Sequence, residues 1–230
     1  MINDPIALRK SVSRQERVRS EVDQALVIVV DDDAAVREAV QELMLSAGME
    51  CVCFASTREL LETDALEKPG CLILDVRMPG SSGLDLQRHL VVSGSCKPIV
   101  FLTGHGDIPM SVQAMKAGAI DFLTKPVRDQ TLIDAVVDGI KKDVAQRAEA
   151  LAVKGNVERL ETLTPRERQV LYEVARGRVN KQIAFDLGIS EVTVKLHRSN
   201  VMRKIGASSI GELIRIWESL PAPMRELCAA

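Results

Sequence analysis

Three aspartates in a row, Asp31, Asp32 and Asp33, follow the apolar run "LVIVV" of residues 26 to 30. Like charges placed side by side repel, so the chain must gain something by holding them together. Farther along, Asp75 ends "CLILD", Thr103 ends "PIVFLT", and Lys125 stands between "AIDFLT" and Pro126. These are the groups a phosphoryl transfer uses. Magnesium takes one or two carboxylates plus phosphate oxygens in near-octahedral geometry, and a carboxylate such as Asp75 can form an aspartyl phosphate. The loose, charge-dispersed transition state is served by positioning and countercharge, here from a hydroxyl and an ammonium.

Those groups can meet only if the elements before them lie side by side. The runs "LVIVV", "ECVCF", "CLILD", "PIVFL" and "AIDFL" read as strands. Between them, "AAVREAVQELMLSAG", "STRELLETDAL", "SGLDLQRHLVVS" and "DIPMSVQAMKAG" read as helices, two of them closed by a glycine suited to the C-cap. Five β-α units imply a parallel sheet covered on both faces. In such sheets ligands bind beyond the carboxyl ends of the strands, where strand order reverses. The acidic groups, Thr103 and Lys125 are therefore expected on one edge, with "GHGD" following Thr103.

From Thr164 onward the pattern is purely helical. Thr164, Pro165 and Glu167 form a capping box with proline at the first helical position, and Gly177 ends that helix. "NKQIAFDLGIS" gives a short helix stopped at Gly188, "SEVTVKLHRSNVMRKIG" a longer one capped by Ser190, and "SSIGELIRIWESL" a last one before Pro221. Helix, tight glycine turn, helix is the pattern of a helix-turn-helix. On a helical wheel Val194, Val201 and Ile205 share an inward face, and Val192, Lys195, Leu196, Ser199 and Arg203 share the opposite one. Cation, hydroxyl and apolar groups together suit a major groove, although each cation taken singly also fits an ordinary solvated face.

Charge separates the same two regions. Residues 26 to 140 carry 9 Lys/Arg against 17 Asp/Glu, and residues 158 to 230 carry 12 against 9. An acidic front half and a basic back half suggest different partners, with polyanions for the second. The five cysteines include no C-x-x-C and sit mostly in apolar runs, which points to buried thiols in a reducing compartment rather than disulfides or zinc. With no membrane-length apolar stretch and no signal-peptide core at the N-terminus, a cytoplasmic protein is expected. Residues 1 to 24 read as a polar arm. The helix starting near Arg128 keeps its apolar spacing beyond a compact domain, so 141 to 160 read either as a helical linker or as a helix end fraying at Gly155.

Other chemistries fit less well. A calcium loop would need a ligand and a glycine where Ala35 and Val36 stand. An aspartyl phosphohydrolase would carry a second acid two residues after Asp75, where Arg77 stands. A dinucleotide site would need G-x-G-x-x-G after the first strand, and that motif is absent. A solvated turn capping a helix explains the aspartate run but not Asp75, Thr103 and Lys125 at the same edge.

"VVDDD", "LILDVRMPG", "FLTGHGD" and "DFLTKP", in this order at strand ends, resemble the receiver domain of two-component response regulators. "LTPRERQVL" with "NKQIAFDLGISEVTVKLHRSNVMRKIG" resembles the LuxR/FixJ-type output domain. The resemblance implies a flavodoxin-like (βα)5 receiver at 25–140, a linker at 141–160 and a small all-α helix-turn-helix domain at 161–225. It makes Asp75 the phosphoacceptor, with Asp31, Asp32, Asp75 and the Arg77 backbone carbonyl holding Mg2+. Asp33 is a less constrained acid that adds field and helix capping. Lys125 pairs with the phosphoryl group ahead of a cis bond to Pro126, and Thr103 with Phe122 forms a switch. Lys195, Leu196 and Ser199 become base readers. Asn180, Lys181, His197, Arg198 and Arg203 lie nearer phosphates, and Thr193 joins the DNA-binding set. The implied partners are a sensor histidine kinase, promoter DNA, RNA polymerase and a second copy of the chain. The chain then acts only on its own phosphoryl group and is no turnover enzyme. A phosphoaspartate sink with a protein-binding basic half, and a constitutively active DNA binder, stay open beside it. The last helix, with Ile210, Leu213, Ile214 and Trp217, serves dimerisation or core equally well. Without its cation the aspartate cluster is expected to repel itself and to raise carboxylate pKa values.

Overall fold

A computed structural model describes residues 25–104 and 106–228. The arm expected over 1–24 lies outside them. The chain divides after Arg147 into two compact units.

The first unit is built on five parallel strands: β1 (Leu26–Val30), β2 (Glu50–Phe54), β3 (Gly70–Leu74), β4 (Ile99–Thr103) and β5 (Asp121–Thr124), in the order β2-β1-β3-β4-β5. Order reverses between β1 and β3, which makes their carboxyl ends the switch point of the sheet. Side chains alternate across the strands. Leu26, Ile28, Leu72, Leu74 and Phe101 enter one core with α2 (Thr57–Leu61), α3 (Gly83–Val92) and α4 (Ile108–Lys116). Val27, Val29, Ile73, Val100 and Leu102 enter the other with α1 (Ala34–Ser46) and α5 (Asp129–Glu161). Both faces are thus covered, which is why the central strands are apolar almost throughout, with Thr103 at the end of β4 the polar exception.

Local chemistry sets the ends of the elements. Asp33 accepts from the Ala35 amide and caps α1, as expected. The helix expected through "STRELLETDAL" stops at Leu61, and Ala65–Glu67 form a separate 3-10 turn. Thr63 causes the break: its hydroxyl donates to the Leu60 carbonyl and accepts from the Ala65 amide, giving the backbone an alternative to the helix. Residues 141–160 are helical throughout, as part of α5. Packing on the sheet continues past residue 140, with Val144 in the core. Asp143 accepts from the Gly70 amide at 2.8 Å, and Arg147 donates to the carbonyls of Glu67 and Lys68. Gly139 brings α5 close to β3, since a Cβ there would stand 2.5 Å from Cys71 Sγ.

The second unit holds α6 (Pro165–Ala175), α7 (Asn180–Leu187), α8 (Glu191–Ile205), α9 (Ile210–Ser219) and α10 (Ala222–Glu226). Its core includes Leu160, Val170, Ile183, Val194, Val201, Ile205 and Leu213. The Thr164–Glu167 capping box forms, Ser190 caps α8, and Gly188 takes the left-handed conformation between α7 and α8 at φ 65°. Helix α10 was not expected; Pro221 and Pro223 start it, and Cys228 beyond it is buried. Of the five thiols, Cys71 and Cys228 are buried, Cys51 and Cys53 partly so, and Cys96 is exposed, against the expectation of burial for most. No helix among the described residues is long and apolar enough to cross a membrane.

Candidate phosphoryl-transfer site and nucleic-acid interface

The residues that follow β1, β3, β4 and β5 do converge. The Asp75 amide donates to the Val30 carbonyl and the Lys125 amide to the Thr103 carbonyl, so neighbouring strands hold the edge in register. One carboxylate oxygen each from Asp31, Asp32 and Asp75 lie within 4.8 Å of one another. Asp31 and Asp75 are 3% and 7% exposed and Thr103 is 0% exposed, whereas Asp32 is open to solvent. Lys125 Nζ donates to Asp31 Oδ2 at 2.5 Å. Arg37 donates to the Asp31 backbone carbonyl at 2.6 Å. The Thr103 side chain and the Val76 backbone hydrogen-bond Asp75, while Asp75 Oδ1 is buried with no partner. The Lys125–Pro126 bond is cis.

Burial pushes the Asp75 carboxyl above its usual range, against the pull of Thr103 and Lys125; Asp31 adds a smaller upward push. Repulsion was expected to dominate this rise. Desolvation does instead, and the Asp31 charge contributes less. An orphaned buried carboxylate oxygen beside two further carboxylates is a hard-oxygen donor set that fits a divalent cation such as Mg2+. Gly83, at the start of α3, packs on the backbone at this edge: a Cβ there would collide with the Asp75 backbone carbonyl. In sequence Gly83 reads only as part of the helix "SGLDLQRHLVVS", and only the fold brings it against Asp75.

In the second unit, α8 buries Val194, Val201 and Ile205 and exposes Val192, Lys195, Leu196, Ser199 and Arg203. Lys181 is exposed on the first turn of α7. Three other candidates, Thr193, His197 and Arg198, are half-buried. The Thr193 hydroxyl pairs with Ser190 Oγ at 2.8 Å, Arg198 donates to Asn180 Oδ1 at 2.9 Å, and His197 Nδ1 is buried without a partner.

The family model described as "Response regulator receiver domain" matches residues 27–137, and that of "Bacterial regulatory proteins, luxR family" matches 161–217. Nodulation protein W of Bradyrhizobium diazoefficiens is 50% identical over 198 residues, covering 86% of this chain and 87% of that protein. Response regulator protein TodT of Pseudomonas putida is 49% identical over 207 residues, covering 90% and 91%. This chain belongs to the two-component response regulators. Among solved structures, the response regulator StyR is similar at 48% identity with a TM-score of 0.73, covering 85% of this chain and 98% of that one. Full-length FixJ from B. japonicum is similar at 38% and 0.52, covering 85% and 97%.

The regulator therefore couples a receiver to a LuxR-type DNA-binding domain, an arrangement for phosphorylation-dependent control of transcription. Its strand order is the flavodoxin-like one. The acidic edge lies in the receiver and the exposed face of α8 in the output domain.

Proposed function

We propose that Asp75 accepts a phosphoryl group from a sensor histidine kinase, and that the phosphorylated regulator dimerises and binds promoter DNA through α8. The observation that carries this reading is Asp75 Oδ1, a buried acceptor without a partner beside the oxygens of Asp31 and Asp32. Leaving such an atom unmatched is costly, so its retention at the sheet's switch point argues for a reacting group. Asp31, Asp32, Asp75 and the Arg77 backbone carbonyl would hold Mg2+, which supplies countercharge to the phosphoryl oxygens.

The chain's own groups do the rest. Asp75 attacks phosphorus, the phosphorus–nitrogen bond of the donor histidine breaks, and its electron pair stays with the imidazole. The new phosphoryl oxygens then compete with Asp31 for Lys125 and with Asp75 for the Thr103 hydroxyl. A phosphoryl group brings about −1.5 to −2 of charge, enough to hold both residues in a state otherwise less populated. Phe122 packs 5.8 Å from Phe101 between ring centroids, at the border of the core, and relays that change to the surface around β5. Hydrolysis of the acyl phosphate resets the site slowly, and this is the receiver's only turnover.

On DNA, Lys195, Leu196 and Ser199 read base edges, while Lys181 and Arg203 meet phosphates. His197 and Arg198 also lie nearer the phosphates, and Thr193 belongs to the DNA-binding set at the start of α8. A dimer engages two half-sites about one helical turn apart, acts on RNA polymerase at the promoter, and works in the cytoplasm. The test is a gel shift and sedimentation with a small-molecule phosphodonor and Mg2+. Phosphodonor-dependent dimers that bind promoter-sized DNA are expected from the native chain and not from Asp75→Asn. Dimerisation that persists in Asp75→Asn would sink the assignment.

A further inference from the structure

Gly106 lies against both members of the Thr103–Phe122 pair. A Cβ at this position would stand 2.7 Å from Phe122 Cε1 and 3.3 Å from both Phe122 Cζ and Thr103 Cγ2. Alanine at this position therefore meets occupied space. Gly104, in the same loop, has no heavy atom within 4 Å of its Cβ position. The two neighbours of Gly106 also differ in freedom. Thr103 is 0% exposed and hydrogen-bonded to Asp75, whereas Phe122 is half-buried at the edge of the core. Only the ring can give way.

We propose that Gly106 is a positioning residue of the switch: its missing side chain is the seat that Phe122 must occupy for phosphorylation of Asp75 to be felt at the β5 surface. The proposal rests on the reading of Asp75 as acceptor and of Thr103 with Phe122 as relay. While the Thr103 hydroxyl is drawn toward the acceptor, its methyl and the Phe122 ring share the space above Gly106. A methyl group at 106 takes that space and turns the ring outward. Cε1 is the far tip of a rotatable side chain, so the ring yields and the fold does not. The site keeps its chemistry and loses its readout.

The test compares the native chain, Gly104→Ala and Gly106→Ala, each treated with acetyl phosphate and Mg2+. Phosphorylated fraction is read on a phosphate-affinity gel and dimerisation by sedimentation. Fluorophenylalanine labelling reports the ring, since the chain has only four phenylalanines and Phe122→Ala identifies the signal. Gly106→Ala is expected to reach the native phosphorylated fraction, to dimerise roughly tenfold more weakly or worse, and to show no phosphorylation shift at Phe122. Gly104→Ala should match the native chain throughout. Native dimerisation by Gly106→Ala overturns the proposal, as does a native Phe122 shift in that variant. Failure of Gly106→Ala to become phosphorylated overturns it too, because the glycine would then act at the acceptor. If the native chain itself shows no phosphorylation-dependent dimer, the underlying reading falls first and the seat falls with it.

Discussion

Asp75 carries a charge the fold does not welcome. Its folded pKa is raised by burial, so between the usual carboxylate range and that raised value the folded chain binds more protons than the unfolded one. Stability without metal therefore falls as pH climbs through that window. Asp75→Asn is expected to raise the metal-free melting temperature at pH 7 and to abolish most of the gain from Mg2+. In the native chain that gain should approach about 2.7 kcal/mol at a hundredfold excess over Kd. A melting temperature indifferent to Mg2+ counts against the site. Lys97 is the opposite case, a buried ammonium whose pKa desolvation pushes down to about 8 from 10.5. The unfolded chain binds more protons between those values, so stability rises with pH across them. Lys97→Met should stabilise the receiver at pH 7 by up to about 3 kcal/mol, an advantage that fades above pH 10.5. The Lys68 carbonyl keeps Arg147 as a donor when Lys97 is gone, so no acceptor is stranded. Denaturant melts at pH 7 and 10 check both sign and window.

Near its midpoint helix α5 adds two polar anchors, Asp143 and Arg147, to its apolar packing on the sheet. Asp143, 3% exposed, accepts from the Gly70 amide and from Arg147. Asp143→Ala strands that amide and leaves Arg147 without its carboxylate, at a cost of about 2–4 kcal/mol to the receiver. Hydrogen exchange should quicken first at Gly70 and along the α5 turns around it. In the output domain, Ser190→Ala removes the α8 cap and should cost about 1 kcal/mol, read as a lower unfolding midpoint. The legibility of these elements varied for identifiable reasons. Strands β1 and β2 were readable to the residue, because the run of β1 ends abruptly at Asp31 and that of β2 is followed closely by Ser56, the cap of the next helix. The break after Leu61 was not, since it depends on one threonine hydroxyl choosing a backbone partner. Gly139 sits inside α5, where packing against Cys71 explains it.

For the whole molecule, phosphorylation should convert a weak DNA binder into a salt-sensitive dimeric one. Arg203→Ala is expected to weaken binding evenly across sequences and to lower the slope of log K against log salt by about 1. Leu196→Ala should instead change sequence preference, which binding-site selection followed by titration at fixed salt would show. The sequence alone determined the two-part plan and which polar groups stand at the strand ends. Strand periodicity says where each strand stops, and Asp31, Asp75, Thr103 and Lys125 stand at or beside those stops. The helical period likewise separates the buried side of α8 from the open one. Tertiary structure alone decided how those groups share their bonds. Lys125 pairs with Asp31, 94 residues away, and Asp75 Oδ1 is left without a partner. It also gave Arg198 the Asn180 amide oxygen as a partner, left His197 Nδ1 without one, and set Gly83 against the Asp75 backbone and Gly106 against Thr103 and Phe122. Periodicity is a property of one segment, but hydrogen-bond competition and excluded volume depend on segments that meet only when the chain is folded.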